Sequence, residues 1–135
     1  MKKIVIIDGQ GGKIGSLLIE RLKSLAKEIE IFAVGSNSIA TATMMKAGAH
    51  FGATGENPTI VNCRNADIIV GGVGIVVADS FLGEITPAMA VAVGQSRAHK
   101  VLLPVNRCNN YVVSARDLPL NELIDGAIKH INSVI

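Results

Sequence analysis

Short runs of β-branched residues alternate with segments of helical periodicity from one end of the chain to the other. The β-branched runs predict strands at residues 3–7, 30–34, 50–52, 66–70 and 100–105, with residues 111–113 as an added edge strand. Apolar residues at helical spacing predict helices at residues 14–29, 39–47, 59–64 and 86–96, and a last helix that begins at Pro119. Strands that alternate with helices form a parallel sheet joined by right-handed crossovers. The sequence therefore predicts a doubly wound, mainly parallel, Rossmann-like α/β domain of about five strands in the order 3-2-1-4-5.

Length and composition limit the class of protein. The 135 residues suffice for a single domain over residues 1–135 but not for two. An apolar share of 49% with only 18% charged residues excludes a disordered chain. A net charge of +2 and 3% aromatic residues give no basic patch and no stacking platform, so we expect no nucleic-acid partner. The longest apolar stretch, residues 68–78, is too short to cross a membrane, so we expect no membrane span.

A glycine-rich segment lies between the first predicted strand and the first predicted helix. Its spacing is GxxGxxG through Gly9, Gly12 and Gly15, whereas Ile14 breaks the GxGxxG pattern. A P-loop is excluded because neither Ser nor Thr follows Lys13. Backbone amides at such a turn, together with the helix N-terminus, are suited to hold the phosphates of a nucleotide. The predicted cofactor-binding residues of this loop are Gly9, Gln10, Gly11, Gly12, Lys13, Ile14 and Gly15.

Two neighbouring features bear on which nucleotide would bind. Asp8 stands at the mouth of the loop, where its charge repels a phosphate unless the carboxylate turns toward the loop's own amides or binds a ribose hydroxyl. The second strand ends in Ser36 and Asn37, without the Asp or Glu that takes the ribose in NAD sites, and no Arg follows for the extra phosphate of NADP. We therefore predict NADP or NAD as cofactor, with NADP slightly favoured, and Ser36 and Asn37 as binding residues. We further predict that Gly12→Val abolishes binding without unfolding the protein.

A second glycine-rich turn follows the fourth predicted strand, at Gly71, Gly72, Val73 and Gly74. In a doubly wound sheet the ligand crevice lies between the first and fourth strands, at their carboxyl ends. These four residues are therefore predicted to line the cofactor site together with the first loop. The alternative is that the glycines only let the following segment approach the sheet.

The other chemically active side chains give no catalytic assignment. They are Asp79, Glu84, Cys63, Cys108, His50, His99 and His130. The two carboxylates are interpreted as solvated turn or cap residues, with an acid and base near the crevice as the alternative. The cysteines and histidines match no metal-ligand spacing, so no metal is predicted. The two cysteines stand far apart and no signal peptide precedes the first strand, so we expect a reducing, cytoplasmic protein. Inert thiols are the preferred interpretation, with a reactive Cys108 as the alternative.

The predicted helix at residues 86–96 is apolar around nearly its full circumference. A small single domain rarely covers such a helix, so we predict a homo-oligomer, a dimer in the simplest case, that forms through residues 86–96. The alternative is a helix buried beneath residues 75–82.

Parts of the sequence resemble known families. Residues 9–15, Gly-Gln-Gly-Gly-Lys-Ile-Gly, resemble the GxGG(R/K)MG loop of dihydrodipicolinate reductases, which implies NADH or NADPH binding by this first unit. Their catalytic His and Lys motifs have no counterpart, so their activity is not implied. Over its whole length the chain is identified as a member of a small bacterial family known only as a domain of unknown function, through residues 8–12, 53–57, 83–90 and 104–108.

These observations lead to one class of function and leave the reaction open. The sequence predicts a nucleotide-binding protein that holds NADP(H) or NAD(H) at the first glycine loop, and a small oxidoreductase is one interpretation. The alternatives are a non-catalytic nucleotide sensor or regulatory subunit, and a transferase that acts on a phosphorylated small molecule.

Overall fold

A parallel sheet forms the centre of the computed structural model, which describes residues 1–105 and 107–135. Its five strands are β1 (Lys2–Asp8), β2 (Ile29–Gly35), β3 (Phe51–Thr54), β4 (Ile68–Gly72) and β5 (His99–Leu103). They lie in the order β3-β2-β1-β4-β5, and all neighbouring pairs are parallel. The predicted doubly wound fold and its strand order are confirmed.

Helices cover both faces of this sheet. In the described part of the chain they are α1 (Lys13–Lys23), α2 (Ser38–Lys46), α3 (Glu56–Cys63), α4 (Pro87–Gln95) and α5 (Leu120–Val134). Helices α1, α2 and α5 pack on the face that carries Ile4 and Ile6, and helices α3 and α4 pack on the face that carries Val5 and Ile7. Successive residues of a strand point to opposite faces, so β1 lies at the centre of two apolar cores. That position explains why the first strand is an unbroken apolar run.

Several predicted boundaries are wrong. The helix predicted at residues 14–29 ends at Lys23, and Ile29 already belongs to β2. Ile29 and Leu25 pack against the same core as α1, which is why the apolar spacing looked like one continuous helix. The edge strand predicted at residues 111–113 is absent, since Tyr111 and Val113 are 79% and 77% exposed and this segment is irregular.

The second glycine-rich segment is also built differently from the prediction. Gly71 and Gly72 are the last two residues of β4 and not part of a turn. The chain leaves the sheet only after them, through a short 3-10 helix at Val73–Val76. Helix α3 begins three residues earlier than predicted, directly after Gly55, whose φ is 101°.

Helix α4 begins as predicted and is only partly covered. The hydroxyl oxygen of Thr86 accepts a hydrogen bond from the amide of Met89, and Pro87 is the first helical residue. Met89 and Val93 are buried against the sheet, whereas Val91 is 52% exposed. Within residues 1–105 and 107–135, none of the helices combines the length and apolar character needed to span a bilayer.

Candidate functional site

The glycine loop, residues 9–15, turns sharply from the end of β1 into α1. The amide of Gly12 donates to the carbonyl oxygen of Gly9 at 3.0 Å, and Gly12 has a left-handed φ of 76°. A Cβ at Gly12 would lie 2.8 Å from the carbonyl oxygen of Ala40, so this glycine lets α1 approach α2 closely. Gly12 is therefore required by the fold, and the prediction that Gly12→Val leaves the protein folded gives way to the opposite expectation.

Asp8 lies beneath this loop, 6% exposed, and its carboxylate turns toward the loop's own amides. Oδ1 accepts from the amide of Gly9 at 2.8 Å, and Oδ2 accepts from the amide of Gly15 at 2.7 Å. Burial raises the pKa of Asp8, the hydrogen bonds from Gly15 and Gly9 lower it, and the nearby carboxylate of Glu84 raises it, with a net upward shift. Because the carboxylate is directed inward, the outer side of the loop remains free of it.

Some amides of the loop meet no acceptor among the described residues. Within the described residues, neither Gly11 nor Lys13 donates its amide to another group of the chain. Residues 8–14 line a hollow of about 80 Å³, the volume of about two to three water molecules. Over residues 1–105 and 107–135, no neighbouring atom lies within 4 Å of the position of a Cβ at Gly11. The hollow therefore has room for one phosphate-sized group at the N-terminus of α1.

The structure brings Ser36 and Asn37 against the glycine loop. They follow β2, the strand that pairs with β1 on one side. The amide of Ser36 donates to the carbonyl oxygen of Asp8 at 2.9 Å, and Nδ2 of Asn37 donates to the carbonyl oxygen of Gln10 at 2.9 Å. Oδ1 of Asn37 accepts from the amide of Ala40 and caps α2. The loop and the end of β2 thus form one polar surface, on which a ligand role for these residues remains a prediction.

Glu84 joins this surface, although its carboxylate was expected to be solvated. Its Oε1 accepts from the amide of Gln10 at 2.9 Å, from Oγ of Ser36 at 2.6 Å and from Nδ2 of Asn37 at 2.8 Å. Burial opposes ionisation of Glu84, but the hydrogen bonds from Ser36, Gln10 and Asn37 outweigh it and lower the pKa. Glu84 is therefore an anchored, ionised carboxylate and not the solvated turn residue that was predicted.

A tight loop, residues 77–85, carries Glu84 to the site. The amide of Asp79 donates to the carbonyl oxygen of Ile85 at 2.7 Å, and the amide of Ile85 donates to the carbonyl oxygen of Ser80 at 3.1 Å. Asp79, Phe81, Leu82 and Gly83 all have left-handed φ values, between 56° and 89°. Sequence reasoning missed this fold-back because Phe81 and Leu82 are residue types that rarely adopt such a φ, although Gly83 and Asp79 accept it.

The ring of Phe81 lies between the ends of β1 and β4, where the ligand crevice was predicted. Phe81 is 5% exposed. A Cβ at Gly9 or at Gly74 would lie 2.8 Å from a ring carbon of Phe81, so the ring contacts both glycine segments. The gap between the two segments is therefore filled by a side chain of the chain itself.

The glycines at the end of β4 are explained by close packing. A Cβ at Gly71 would lie 2.6 Å from the carbonyl oxygen of Ile7 in β1. A Cβ at Gly72 would lie 3.3 Å from a methyl carbon of Val105. The alternative considered from sequence, that these glycines serve packing, accounts for both positions. A ligand role for Gly71, Gly72, Val73 and Gly74 remains a prediction without further support from this geometry.

The remaining candidates lie apart from the glycine loop. Burial raises the pKa of the Cys63 thiol to about 11, as expected of an inert cysteine. His99 and His130 contact each other through their Nε2 atoms at 2.8 Å, and Nδ1 of His50 accepts a backbone amide. Over residues 1–105 and 107–135, no three metal-ligating side chains form a group that could hold a metal ion. Cys108 is exposed.

Comparison with known proteins identifies a family and shows likeness to a solved structure. The family model for a domain of unknown function, DUF3842, matches residues 3–135. None of the curated proteins matches the chain. The crystal structure of a dodecameric FMN-dependent UbiX-like decarboxylase from Escherichia coli O157:H7 is similar over 97% of this chain and 93% of that chain, with 12% identity and a TM-score of 0.44. That TM-score is too low to transfer any property of the decarboxylase to this chain.

Proposed function

The chain belongs to the DUF3842 family of domains of unknown function, and we propose that residues 1–135 act as one nucleotide-binding domain. A phosphate group of the nucleotide would bind at the N-terminus of α1, in the hollow that residues 8–14 line. The supporting observation is the pair of amides, from Gly11 and Lys13, that find no acceptor in the described part of the chain. Amides at a helix N-terminus favour anions through direct hydrogen bonds and the helix dipole.

The polar surface formed by the glycine loop and the end of β2 can bind one half of a dinucleotide but not both halves. On the side of β1 and β2, the loop presents free amides next to Ser36 and the Glu84 carboxylate. On the side of β4, the ring of Phe81 fills the place of the second half. The predicted cofactors NADP(H) and NAD(H) would thus bind through their adenosine half. A sensor or regulatory role is favoured over hydride transfer, because Phe81 covers the position that a reacting ring would need.

A ligand panel tests this function directly. Thermal unfolding with NAD, NADP, FMN, ATP or S-adenosylmethionine should show stabilisation by at least one of them, by about 2.7 kcal/mol at a concentration 100 times its dissociation constant. Gly11→Val should abolish this stabilisation and leave the melting temperature without ligand unchanged, because the new side chain projects into the open hollow. Gly126→Val on α5 is the matched control, since that glycine also has nothing within 4 Å of a Cβ. An undiminished ligand response in Gly11→Val would place the site elsewhere.

We also propose that α4 pairs with a second copy of the chain, as the sequence predicts for residues 86–96. The exposed side of this helix carries Pro87, Ala88 and Val91. Val91→Glu should weaken self-association at least tenfold, because it places a charge in an apolar contact. Sedimentation velocity up to millimolar concentration measures this, with Val134→Glu on α5 as the matched control. A wild-type protein that stays monomeric throughout would contradict the proposal.

A further inference from the structure

We propose that Glu84 selects nucleotides whose ribose carries a free 2′-hydroxyl and rejects those with a 2′-phosphate, an inference that rests on the proposed nucleotide binding at residues 9–15. It reverses the slight preference for NADP that the sequence suggested. The Glu84 carboxylate lies beside the glycine loop and contacts Ser36, the residue that directly follows β2. In dinucleotide-binding folds this is where an acidic side chain accepts a hydrogen bond from the ribose.

The geometry leaves one oxygen of Glu84 available. Its Oε1 is held by donors from three segments: the amide of Gln10, Oγ of Ser36 and Nδ2 of Asn37. In the described part of the chain, Oε2 accepts no hydrogen bond. A carboxylate that is fixed through one oxygen presents the other in a defined direction, which suits that oxygen to accept a hydrogen bond from a hydroxyl group.

The charge of Glu84 provides the discrimination. Among the described residues Glu84 forms no ion pair, so its charge is not neutralised by a contacting cation there. A 2′-phosphate bound beside it would bring two anions into contact, and both would lose part of their hydration. A 2′-hydroxyl in the same place donates a hydrogen bond to the free oxygen. Rejection of the phosphorylated ribose and acceptance of the free one therefore have the same structural cause.

The same contacts admit a competing role, in which the Glu84 carboxylate blocks the loop against every ligand. The two roles differ in what removal of the charge does. A blocking carboxylate, once neutralised, would let all nucleotides bind more tightly. A selecting carboxylate, once neutralised, would improve binding only of nucleotides with a 2′-phosphate.

Isothermal titration of the full chain with NAD and with NADP distinguishes these roles. The wild type should bind NAD at least tenfold more tightly than NADP. Glu84→Gln keeps an oxygen that can accept from Gln10, Ser36 and Asn37 and removes the charge, so the preference should fall to threefold or less through tighter binding of NADP. Glu84→Asp keeps the charge and should still reject NADP. Glu122→Gln on α5 is the matched loss of charge away from the loop and should change neither affinity.

Three results would overturn the inference. Equal binding of both dinucleotides by the wild type, or tighter binding of NADP, would remove the selectivity and leave nucleotide binding at residues 9–15 intact. Equal tightening of both ligands in Glu84→Gln would identify the carboxylate as a block. Binding of neither ligand, in a protein whose unfolding no nucleotide of the panel affects, would refute the proposed function and this inference together.

Discussion

Gly12→Val is expected to destabilise the protein by about 3 kcal/mol or more, which corresponds to roughly 10 °C in melting temperature. Two effects add at this position. The left-handed φ of 76° is unfavourable for a β-branched residue. A Cβ would also lie 2.8 Å from the carbonyl oxygen and 2.9 Å from Cα of Ala40, which are backbone atoms of α2 and cannot rotate away. Helices α1 and α2 would have to move apart.

Chemical denaturation of Gly12→Val beside Gly11→Val measures this directly. The two glycines are adjacent in sequence, yet Gly11 has open space and an ordinary φ, so its substitution should cost less than about 0.5 kcal/mol. If both variants unfold at the wild-type denaturant concentration, the close approach of α1 to α2 at this turn is not present in solution.

Asp8→Asn is expected to cost about 1–3 kcal/mol at acidic pH. The carboxylate accepts from two buried amides, those of Gly9 and Gly15. A carboxyl group keeps acceptor lone pairs on both oxygens even when it is protonated, whereas Asn has an NH₂ group in place of one oxygen, which points a donor at a donor. Asp79→Asn is the matched control, because Asp79 is exposed and Asn tolerates its left-handed φ of 66°.

The cost of Asp8→Asn should decrease as the pH rises. The folded protein raises the pKa of Asp8 above the ordinary value of 3.8, chiefly through burial, so it binds a proton there more readily than the unfolded chain does. The contribution of Asp8 to the free energy of unfolding is therefore fully present below pH 3.8 and is lost as the pH rises through the folded-state pKa. Urea denaturation of both proteins over this pH range tests it. A cost that grows with pH would show that folding lowers this pKa.

The fold could be predicted because its signal is local. β1 is buried on both faces, and burial of Ile4 to Ile7 demands an apolar residue at each position in turn. Thr86 and Pro87 mark the start of α4 because capping depends only on a few neighbouring residues. The prediction failed at residues 24–29, where the turn and the next strand bury side chains in the same core as α1, so periodicity alone could not place the boundary.

The candidate site was only half predictable. Sequence reasoning located the glycine loop and the end of β2, since both follow strands whose order the alternation of elements determines. It interpreted Glu84 as a solvated turn residue and did not consider Phe81. The segment that carries them has left-handed φ values at Asp79, Phe81, Leu82 and Gly83, and those of Phe81 and Leu82 are unusual for their residue types. The sequence also does not distinguish the two carboxylates near the loop: burial raises the pKa of Asp8, whereas hydrogen bonds lower the pKa of Glu84.

The amino-acid sequence by itself determined the parallel sheet, its strand order and the place of the glycine loop, because each depends on hydrophobic patterns and turn residues within a short stretch of chain. Only the tertiary structure decided which amides of that loop stay free. Asp8 accepts hydrogen bonds from the amides of Gly9 and Gly15. Glu84, from a segment far along the chain, accepts one from the amide of Gln10. Such hydrogen bonds depend on how segments that are distant in sequence pack together. They produce no hydrophobic periodicity or turn signal from which they could be predicted.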